Sequence, residues 1–330
     1  MGRRQAKKNN VLVAGSAGFI GSRVCQYLLE AGWNVLGLDN LNDYYDPLLK
    51  KWRLQTLKKY PGFTFSKTDI VNLRGLEKHF DVFRPEAVIN LAARAGVRAS
   101  LKDPWIYLDT NTKGTLNLLE CCRKYGAKKF ILASTSSIYG LNPYPFREDH
   151  DSNRPLTSYA ASKKGAEAMA HVYNYLYGID IVIPRYFTVY GPAGRPDMSV
   201  FKFVRRIMDG KTITIFGDGE QKRDFTFVDD IADGTVKALQ LSGYHIINLG
   251  NDDPIRVLDL VALIERFVGK KARLKFKGRH PADVPDTWAD IKLSNKLLKW
   301  KPNTPVEEGV ERTVAWFKDN YALIRKMQYI

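Results

Sequence analysis

The sequence has no run of apolar residues long enough to cross a lipid bilayer, which needs about 20 consecutive apolar positions. Its basic start, residues 1–8, leads into only a short apolar segment, residues 11–14, before the first glycines, so it does not resemble a signal peptide. Gly2 lacks the downstream serine or threonine of a myristoylation signal. These absences predict a cytoplasmic protein that neither spans a membrane nor is anchored to one.

Cysteine and histidine are too few and too scattered to indicate a metal site. Only three cysteines occur, Cys25, Cys121 and Cys122, and none has CxxC or zinc-site spacing. The last two lie within an apolar helical pattern, which indicates buried structural thiols. The five histidines are spread along the chain without ligand spacing: His79, His150, His171, His245 and His280. We therefore expect no metal.

Acidic residues are outnumbered by basic ones, but no nucleic-acid-binding motif accompanies the excess. The chain has 51 Lys and Arg against 35 Asp and Glu, a formal charge of +16. Such a charge alone leaves nucleic-acid binding as an alternative. The basic residues are distributed over the whole sequence, however, which favours a basic surface around a site for multiply anionic small molecules. We expect no nucleic-acid partner.

The N-terminal half alternates short apolar runs with longer amphipathic stretches. The predicted strands are residues 11–14, 35–38, 87–91 and 130–134, and the predicted helices are residues 19–31, 73–83, 104–125 and 158–177. Because the strands are apolar throughout, they belong in a parallel sheet that is covered on both faces. The prediction is an α/β fold with a Rossmann-type doubly wound parallel sheet, to which residues 179–184 and 246–249 add further strands.

Beyond residue 185 the sequence becomes rich in turns, as in residues 191–196 and 217–219. This texture predicts a smaller C-terminal α/β substrate lobe, packed over the carboxyl edge of the sheet where such folds bind ligands. The expected division is a cofactor-binding domain at residues 1–185 and a substrate lobe at residues 186–330. Segments within residues 225–250 are expected to return to the main sheet.

A Gly-x-x-Gly-x-x-Gly loop, formed by Gly15, Gly18 and Gly21, lies between the first predicted strand and the first predicted helix. Such a loop lets the backbone approach a pyrophosphate, while the first turn of the helix, with Phe19 and Ile20, offers free N–H groups. The context therefore predicts a dinucleotide site.

The second predicted strand ends at Asp39, where a carboxylate can accept both ribose hydroxyls of NAD and would repel the 2′-phosphate of NADP. The alternative is that Asp39 serves only as a turn residue before Asn40 and Asn42. With the glycine loop in place, we expect NAD as the cofactor.

Tyr159 and Lys163 stand one helical turn apart and predict proton transfer to or from an alcohol. The pattern is weak alone, because Tyr125 and Lys129 repeat it at a helix end. The downstream pair opens a helix, with Ser158 as the expected N-cap, and follows a cluster of hydroxyl residues that includes Thr135. A lysine ammonium would lower the pKa of the tyrosine toward neutrality. The alternative for Tyr159 is a surface position on an amphipathic helix.

At these residues the chain resembles the extended short-chain dehydrogenase/reductase superfamily over nearly its whole length. The match rests on residues 15–21, 91–93, 111, 134–140, 159, 163, 185–187 and 223–230. Superfamily members act on nucleotide sugars as epimerases, dehydratases, decarboxylases and reductases. The resemblance implies a homodimer through helices 104–125 and 158–177. It also extends the NAD site, which would contain Asn40, Asn42, Asp69, Ile70, Leu91, Ala92, Ala93 and Asn111 besides the glycine loop, Asp39, Tyr159 and Lys163.

The residues after Thr135 indicate which of these reactions to expect. Superfamily dehydratases and UDP-glucuronate decarboxylases carry an acidic residue there, whereas this chain has Ser136 and Ser137. Without that carboxylate, elimination lacks its proton carrier. The remaining expectation is a 4-epimerase that oxidises a sugar at C4 and returns the hydride to the other face.

Residues 39–46, 95–98 and 188–198 resemble segments of UDP-glucuronate 4-epimerases. The resemblance implies that hydroxyls of Thr188, Ser100 and Ser136 bind the sugar carboxylate, and Ser137 is a further expected substrate residue. The alternative for Ser136 and Ser137 is ordinary turn capping. Arg195 would anchor the carboxylate end, although Arg98 and Arg195 suit carboxylate or phosphate equally. The alternative is that Arg195 and Asp197 only stabilise their loop.

The resemblance also implies how the UDP end of the substrate is held. Arg223 would bind the pyrophosphate and Asp283 the ribose, and the remaining UDP contacts would be Val200, Phe201, Phe203, Ile215 and Phe216. The alternatives left open are a 4-epimerase of UDP-glucose or UDP-N-acetylglucosamine, a nucleotide-sugar decarboxylase or dehydratase, and a non-catalytic binding protein.

Overall fold

The structure is a computed structural model that describes residues 9–279 and 283–328. The basic segment at residues 3–8 and His280 lie outside this range. The strands are β1 (Asn10–Ala14), β2 (Asn34–Asp39), β3 (Phe63–Lys67), β4 (Ala87–Asn90), β5 (Lys129–Leu132), β6 (Ser134–Thr135), β7 (Asp180–Tyr186), β8 (Thr188–Tyr190), β9 (Thr212–Phe216), β10 (Lys222–Arg223), β11 (Phe225–Phe227), β12 (Tyr244–Leu249), β13 (Ile255–Arg256) and β14 (Arg273–Lys277).

The helices connect these strands. They are α1 (Phe19–Glu30), α2 (Pro47–Leu57), α3 (Leu73–Phe83), α4 (Trp105–Tyr107), α5 (Gly114–Tyr125), α6 (Ser158–Tyr177), α7 (Ser199–Met208), α8 (Val228–Lys237), α9 (Val257–Val268), α10 (Lys292–Leu298), α11 (Val306–Asp319) and α12 (Tyr321–Lys326). None of these helices in the described part of the chain combines the length and the apolar character that crossing a bilayer requires.

The main sheet is parallel and has the strand order β12-β7-β5-β4-β1-β2-β3, with β6 pairing beside β7. Alternate residues of β1 point into two different cores. Val11 and Val13 pack with α1 and α8, whereas Leu12 and Ala14 pack with α3, α5 and α6. Both faces are therefore covered, which confirms the predicted doubly wound α/β fold. The chain reverses its direction of strand addition between β1 and β4, the position where such sheets bind ligands.

Local signals of the sequence explain most element boundaries but not all of them. The N-cap of α6 is Thr157, whose hydroxyl accepts a hydrogen bond from Ala160 N at 3.3 Å, so the expectation of Ser158 was wrong by one residue. The helix expected at residues 104–125 is divided by a π-helical segment, Leu108–Lys113. Strand β3 and helix α2 were not predicted, because β3 is half exposed and α2 carries buried charged residues.

The smaller lobe has its own apolar core. Phe201 of α7 packs edge-to-face on Phe317 of α11, with ring centroids 4.6 Å apart, and β9 pairs with β14. Leu298 and Trp300, which the expected boundary assigned to this lobe, pack instead into the main core with α8. The indole of Trp300 donates to the carbonyl of Asp230 at 2.9 Å, and this bond ties the segment after α10 to the main domain. The two-lobe division at residue 185 stays a proposal.

Candidate active site

The glycine loop between β1 and α1 lies against neighbouring backbone too closely for any side chain. A Cβ on Gly15, which has a φ of +83°, would lie 2.7 Å from Ala92 N, and one on Gly21 would lie 2.0 Å from the carbonyl of Gly15. No side chain caps the N-terminus of α1, so its first N–H groups remain available to a ligand. The backbone therefore forms a cradle of the kind that binds a pyrophosphate.

A cleft opens beside this loop, at the carboxyl ends of β1, β2 and β4. Most of the predicted cofactor residues line it, together with the predicted catalytic pair: Gly15, Gly18, Phe19, Ile20, Gly21, Asp39, Asn40, Asn42, Leu91, Ala92, Ala93, Tyr159 and Lys163. The donors and the shape of this cofactor cleft fit a dinucleotide. The glycine loop would hold the pyrophosphate, Asp39 a ribose, and Lys163 the end near the catalytic tyrosine.

Asp69, Ile70 and Asn111 do not line the cofactor cleft, and their contacts show why. Asp69 accepts a hydrogen bond from Asn40 Nδ2 at 2.8 Å and so acts through that side chain. Ile70 is buried against Gly114. The amide of Asn111 bonds the backbone of Arg94 in both directions at 2.9 Å. These three residues shape the walls of the cleft.

Lys50 is a cleft residue that the sequence reasoning missed. It lies on α2, with its ammonium 3.6 Å from Asp39 Oδ1 and 3.3 Å from Asn42 Oδ1. Burial lowers the pKa of Lys50, and the neighbouring Asp39 opposes that shift. The available signal was a lysine on the buried face of a helix that follows Asp39, but it required α2 to be predicted first.

Tyr159, Thr135 and Lys163 meet where the cofactor cleft joins a second cleft. Burial raises the pKa of Tyr159, while the nearby Thr135 hydroxyl and the charge of Arg195 act in the opposite direction. The expected fall of this pKa toward neutrality is therefore wrong, because the loss of water around the phenol outweighs both of those effects. Burial also lowers the pKa of Lys163, to about 8.

Lys163 is only 3% exposed, and no hydrogen-bond acceptor lies within reach of its ammonium among residues 9–279 and 283–328. Its charge is supported by Glu167, one turn further along α6. That carboxylate accepts hydrogen bonds from Ser134 Oγ at 2.6 Å and from Arg185 Nη2 at 2.8 Å. The sequence reasoning missed Glu167, although its i+4 position relative to Lys163 was a usable signal.

The second cleft, which we call the substrate cleft, lies between the main sheet and the smaller lobe. Its lining includes Thr135 and Tyr159 and these predicted substrate residues: Ser136, Ser137, Thr188, Arg195, Arg223 and Asp283. Asp283 is the only acidic residue among the described residues of this lining, and it forms an ion pair with Arg98. Among the described residues of this lining, no carboxylate therefore stands beside the hydroxyls of Thr135 and Tyr159.

The other predicted substrate residues occupy different positions. Ser100 is fully buried and donates to the carbonyl of Val97 at 2.7 Å, so its hydroxyl does not reach the cleft. Phe203 and Ile215 are buried in the core of the smaller lobe. Val200 and Phe201 line a small adjoining cavity instead. These apolar side chains pack in the smaller lobe. A local sequence match cannot distinguish a residue that packs in a core from one that contacts a ligand.

The three arginines of the site are held differently. Arg98 lies over the ring of Phe216, with its guanidinium carbon 3.8 Å from the ring centroid. Arg195 lines both clefts and donates to Asp197 Oδ1 at 3.0 Å. Arg223 donates to the carbonyls of Val284 and Pro285, at 3.0 and 2.7 Å. Of these arginines, Arg195 lines both clefts, Arg223 lines the substrate cleft and Arg98 lines neither. The charge of Arg195 opposes the rise in the pKa of Tyr159.

Several further residues line the two clefts without having been predicted: Tyr44, Tyr45, Thr68, Arg94, Thr110, Leu156, Thr157, Tyr186, Phe187, Met198 and Thr287. Tyr44 lies between the guanidinium carbons of Arg94 and Arg195, which are 5.5 and 5.9 Å from its ring centroid. Within the described ranges, no three His, Cys, Asp or Glu side chains are placed to hold a metal ion.

Comparison with known proteins agrees with this geometry. Residues 11–250 match the family model described as "NAD dependent epimerase/dehydratase family". The chain is 54% identical, over 96% of its length and 98% of the relative, to the UDP-glucuronate 4-epimerase of Thermodesulfobacterium geofontis. It is also similar to the Bacillus cereus UDP-glucuronic acid 4-epimerase in complex with UDP-glucuronic acid and NAD. The TM-score between the two structures is 0.90 and the sequence identity is 38%. The match covers 94% of this chain and 100% of the Bacillus cereus chain.

A second solved structure, the Thermotoga maritima UDP-glucose 4-epimerase with UDP-glucose, is similar at a TM-score of 0.88 and 32% identity. The match covers 94% of this chain and 99% of that one. The range matched by the family model includes the glycine loop, Tyr159 and Lys163. The chain belongs to the NAD dependent epimerase/dehydratase family.

Proposed function

We propose that this protein is an NAD-dependent 4-epimerase that interconverts UDP-glucuronate and UDP-galacturonate through a transient 4-ketone. The observation that carries this proposal is the composition of the substrate cleft. Tyr159 shares that cleft with hydroxyl groups and arginines, and the only acidic side chain in its described lining is the paired Asp283. The similarity to two uronate 4-epimerases supports the same substrate.

Each residue of the site has a separate role in such a reaction. The chemistry that NAD supplies when bound in the cofactor cleft is the reversible acceptance of a hydride. Tyr159 removes the proton of the sugar C4 hydroxyl as the ketone forms, and returns it when the alcohol forms again. Thr135 orients that hydroxyl, and the ammonium of Lys163 stabilises the phenolate of Tyr159.

We propose that the reaction is limited to epimerisation, because Asp283, the only acidic residue in the described lining of the cleft, is paired with Arg98. Elimination next to the new ketone would require a carboxylate beside Thr135, where the chain has Ser136 and Ser137. Glucuronate that is oxidised at C4 is a β-keto acid. It loses carbon dioxide when the bond between C5 and the carboxylate carbon aligns with the π orbitals of the ketone. We propose that Thr188 and Ser136 bind the carboxylate out of that alignment, with Arg195 beside them.

The test of this function is incubation of the purified protein with UDP-glucuronate and no added reductant. We expect UDP-galacturonate to accumulate until the two sugars reach equilibrium, with no net reduction of NAD, because each turnover returns its hydride. Separation of the two UDP-sugars by chromatography measures conversion, and absorbance at the wavelength of NADH measures net reduction.

UDP-glucose and UDP-N-acetylglucosamine serve as the comparison substrates, because they lack the carboxylate. The second candidate function, a UDP-glucose 4-epimerase, is favoured by the similarity to the Thermotoga maritima enzyme. Conversion of UDP-glucose without conversion of UDP-glucuronate would establish that candidate instead. A UDP-pentose product would indicate a decarboxylase. The cytoplasmic location expected from the sequence stays a prediction.

We also propose that the protein is a homodimer, as the sequence resemblance implied. Apolar side chains lie exposed on α4, on the following π-helical segment and on α6, three elements that pack against one another: Trp105, Leu108, Val172, Tyr175 and Leu176. Tyr175 is 80% exposed. A cluster of this kind is more typical of an interface than of a solvent-facing surface, and a second copy of the chain is the occupant that we propose.

Replacement of Tyr175 by glutamate is expected to separate the dimer, because the new charge would be buried in the apolar contact. Light scattering should give twice the chain mass of 37.5 kDa for the unmodified protein and a single chain mass for the variant. Val82→Glu is the matched control, since Val82 is 86% exposed on α3 and lies outside this cluster. A monomeric mass for the unmodified protein would contradict the proposal.

A further inference from the structure

Arg53 is a buried arginine on α2 that belongs to neither of the two clefts. It is only 2% exposed, and it lines a separate cavity together with Phe19 and Ala193. Nothing in the sequence singled it out, because α2 was not predicted.

The hydrogen bonds of Arg53 go to two loops that are distant in the sequence. On one side its Nη1 donates to the carbonyl of Ala17, at 3.1 Å, within the glycine loop. On the other side its Nη2 donates to the carbonyls of Ala193 and Gly194, at 2.6 and 3.1 Å. A further bond, from Nε to Ala193, has a length of 3.1 Å. One rigid guanidinium plane therefore bridges both loops.

The second of these loops leads directly into the substrate cleft. Ala193 has a φ of +52°, which an L-residue adopts only when its surroundings enforce it. Two residues later comes Arg195, which lines both clefts. The turn before Arg195 is thus strained. Its Ala193 and Gly194 carbonyls accept hydrogen bonds from Arg53, which hold the turn in place.

The charge of Arg53 has no carboxylate partner among the described residues, and its remaining neighbours are the Tyr45 hydroxyl at 2.7 Å and the ring of Phe19. A buried charge that is satisfied by backbone carbonyls contributes little net stability, because its desolvation offsets the hydrogen bonds. What those bonds do fix is the separation and orientation of the two loops.

We propose that Arg53 is a positioning residue that joins the cofactor loop to the substrate loop, so that one side chain sets the geometry of both sites. The glycine loop and the turn before Arg195 are held in a fixed relation by it, and the sugar end of the substrate is thereby aligned with the cofactor cleft. The identity of the sugar ligand rests on the proposed function, whereas the bridge itself does not.

Arg53→Met keeps the length of the side chain and removes every hydrogen bond. We expect NAD to bind about tenfold more weakly, and UDP-glucuronate to bind about tenfold more weakly, since each loop loses charged hydrogen bonds. Binding of UDP alone should change by less than about threefold, because Arg223 and its carbonyl partners do not contact Arg53. Calorimetric titration measures all three ligands, with UDP-glucuronate titrated in a Tyr159→Phe background that prevents turnover.

Arg205→Met is the matched control. Arg205 is 4% exposed on α7 and likewise donates to backbone carbonyls, those of Met327 at 2.5 Å and Gln328 at 2.9 Å, but it lines neither cleft. It should lower the thermal midpoint without changing the affinity for NAD or UDP-glucuronate. If Arg53→Met is too unstable to purify, Arg53→Lys decides the question, because a lysine keeps the charge but cannot bond both loops at once.

The proposal is overturned if the Arg53 variant loses stability as the control does while its affinities for both ligands stay unchanged, or if only one of the two affinities falls. Failure of the proposed function gives a different result. In that case the unmodified protein would not epimerise UDP-glucuronate, yet NAD and UDP binding would still report whether Arg53 joins the two loops.

Discussion

Replacement of Tyr159 by phenylalanine is expected to lower kcat by about 10³-fold, within the range of general acid–base catalysis. The phenol lines the substrate cleft together with the hydroxyl of Thr135, and we expect it to exchange a proton with the sugar there. Phenylalanine keeps the ring, including its edge-to-face contact with Tyr107 at 6.1 Å between centroids. Folding and NAD binding should therefore persist, and the measurement is turnover of UDP-glucuronate alongside NAD affinity.

The chain contains its own control for this experiment. Tyr125 precedes Lys129 with the same spacing, but its ring packs on Phe80 at the end of α5, away from both clefts. Tyr125→Phe should retain activity within about twofold, as expected for a substitution outside a functional site. Activity in the Tyr159 variant close to that of the unmodified protein would remove this tyrosine from the mechanism.

Replacement of Lys163 by methionine is expected to lower kcat by about 10²-fold and also to weaken NAD binding. The ammonium is buried, its pKa is lowered to about 8 by that burial, and no described residue accepts a hydrogen bond from it. It faces the cofactor cleft beside Tyr159. Methionine would therefore remove both the charge that favours the phenolate and a donor toward the cofactor.

Lys164 provides the matched comparison, because it is the next residue of the same helix. Its ammonium donates to Ser152 Oγ at 2.7 Å and lies 3.8 Å from Glu167 Oε2, but it lines neither cleft. Lys164→Met should change kcat by less than about threefold. Equal losses in the two variants would mean that the effect arises from the helix rather than from the position of one ammonium group. NAD affinity, measured by titration calorimetry, separates the two roles of Lys163.

Much of the main sheet followed from local pattern. The strands at β1, β2, β4 and β5 are buried on both faces, so their residues are apolar without interruption and are easily recognised. The edge strand β3 was not predicted, because an edge position lets polar residues alternate with apolar ones. Helix α2 was not predicted either, because Lys50 and Arg53 lie on its buried face, where apolar residues would be expected.

The candidate site was predictable where backbone geometry dictates residue type. Gly15 and Gly21 are required by contacts that no Cβ can enter, and Asp39 follows from its place at the end of β2. Side chains that meet only after folding were harder to place. Ser100 was expected in the substrate cleft but bonds its own loop, while Glu167 was overlooked although it lies beside Lys163.

The sequence by itself determined the class of fold and the glycine cradle, and it predicted the proton-transfer pair Tyr159 and Lys163, because strand burial, glycine spacing and one helical turn are local properties. Only the tertiary structure decided which side chains line the same cleft and which residues lie beside the charged groups of that cleft. The substrate cleft combines segments from the main sheet and the smaller lobe, and the carboxylate beside Lys163 is bonded to Arg185 of β7. Such relations depend on chain segments that are far apart in sequence, and no local pattern encodes them.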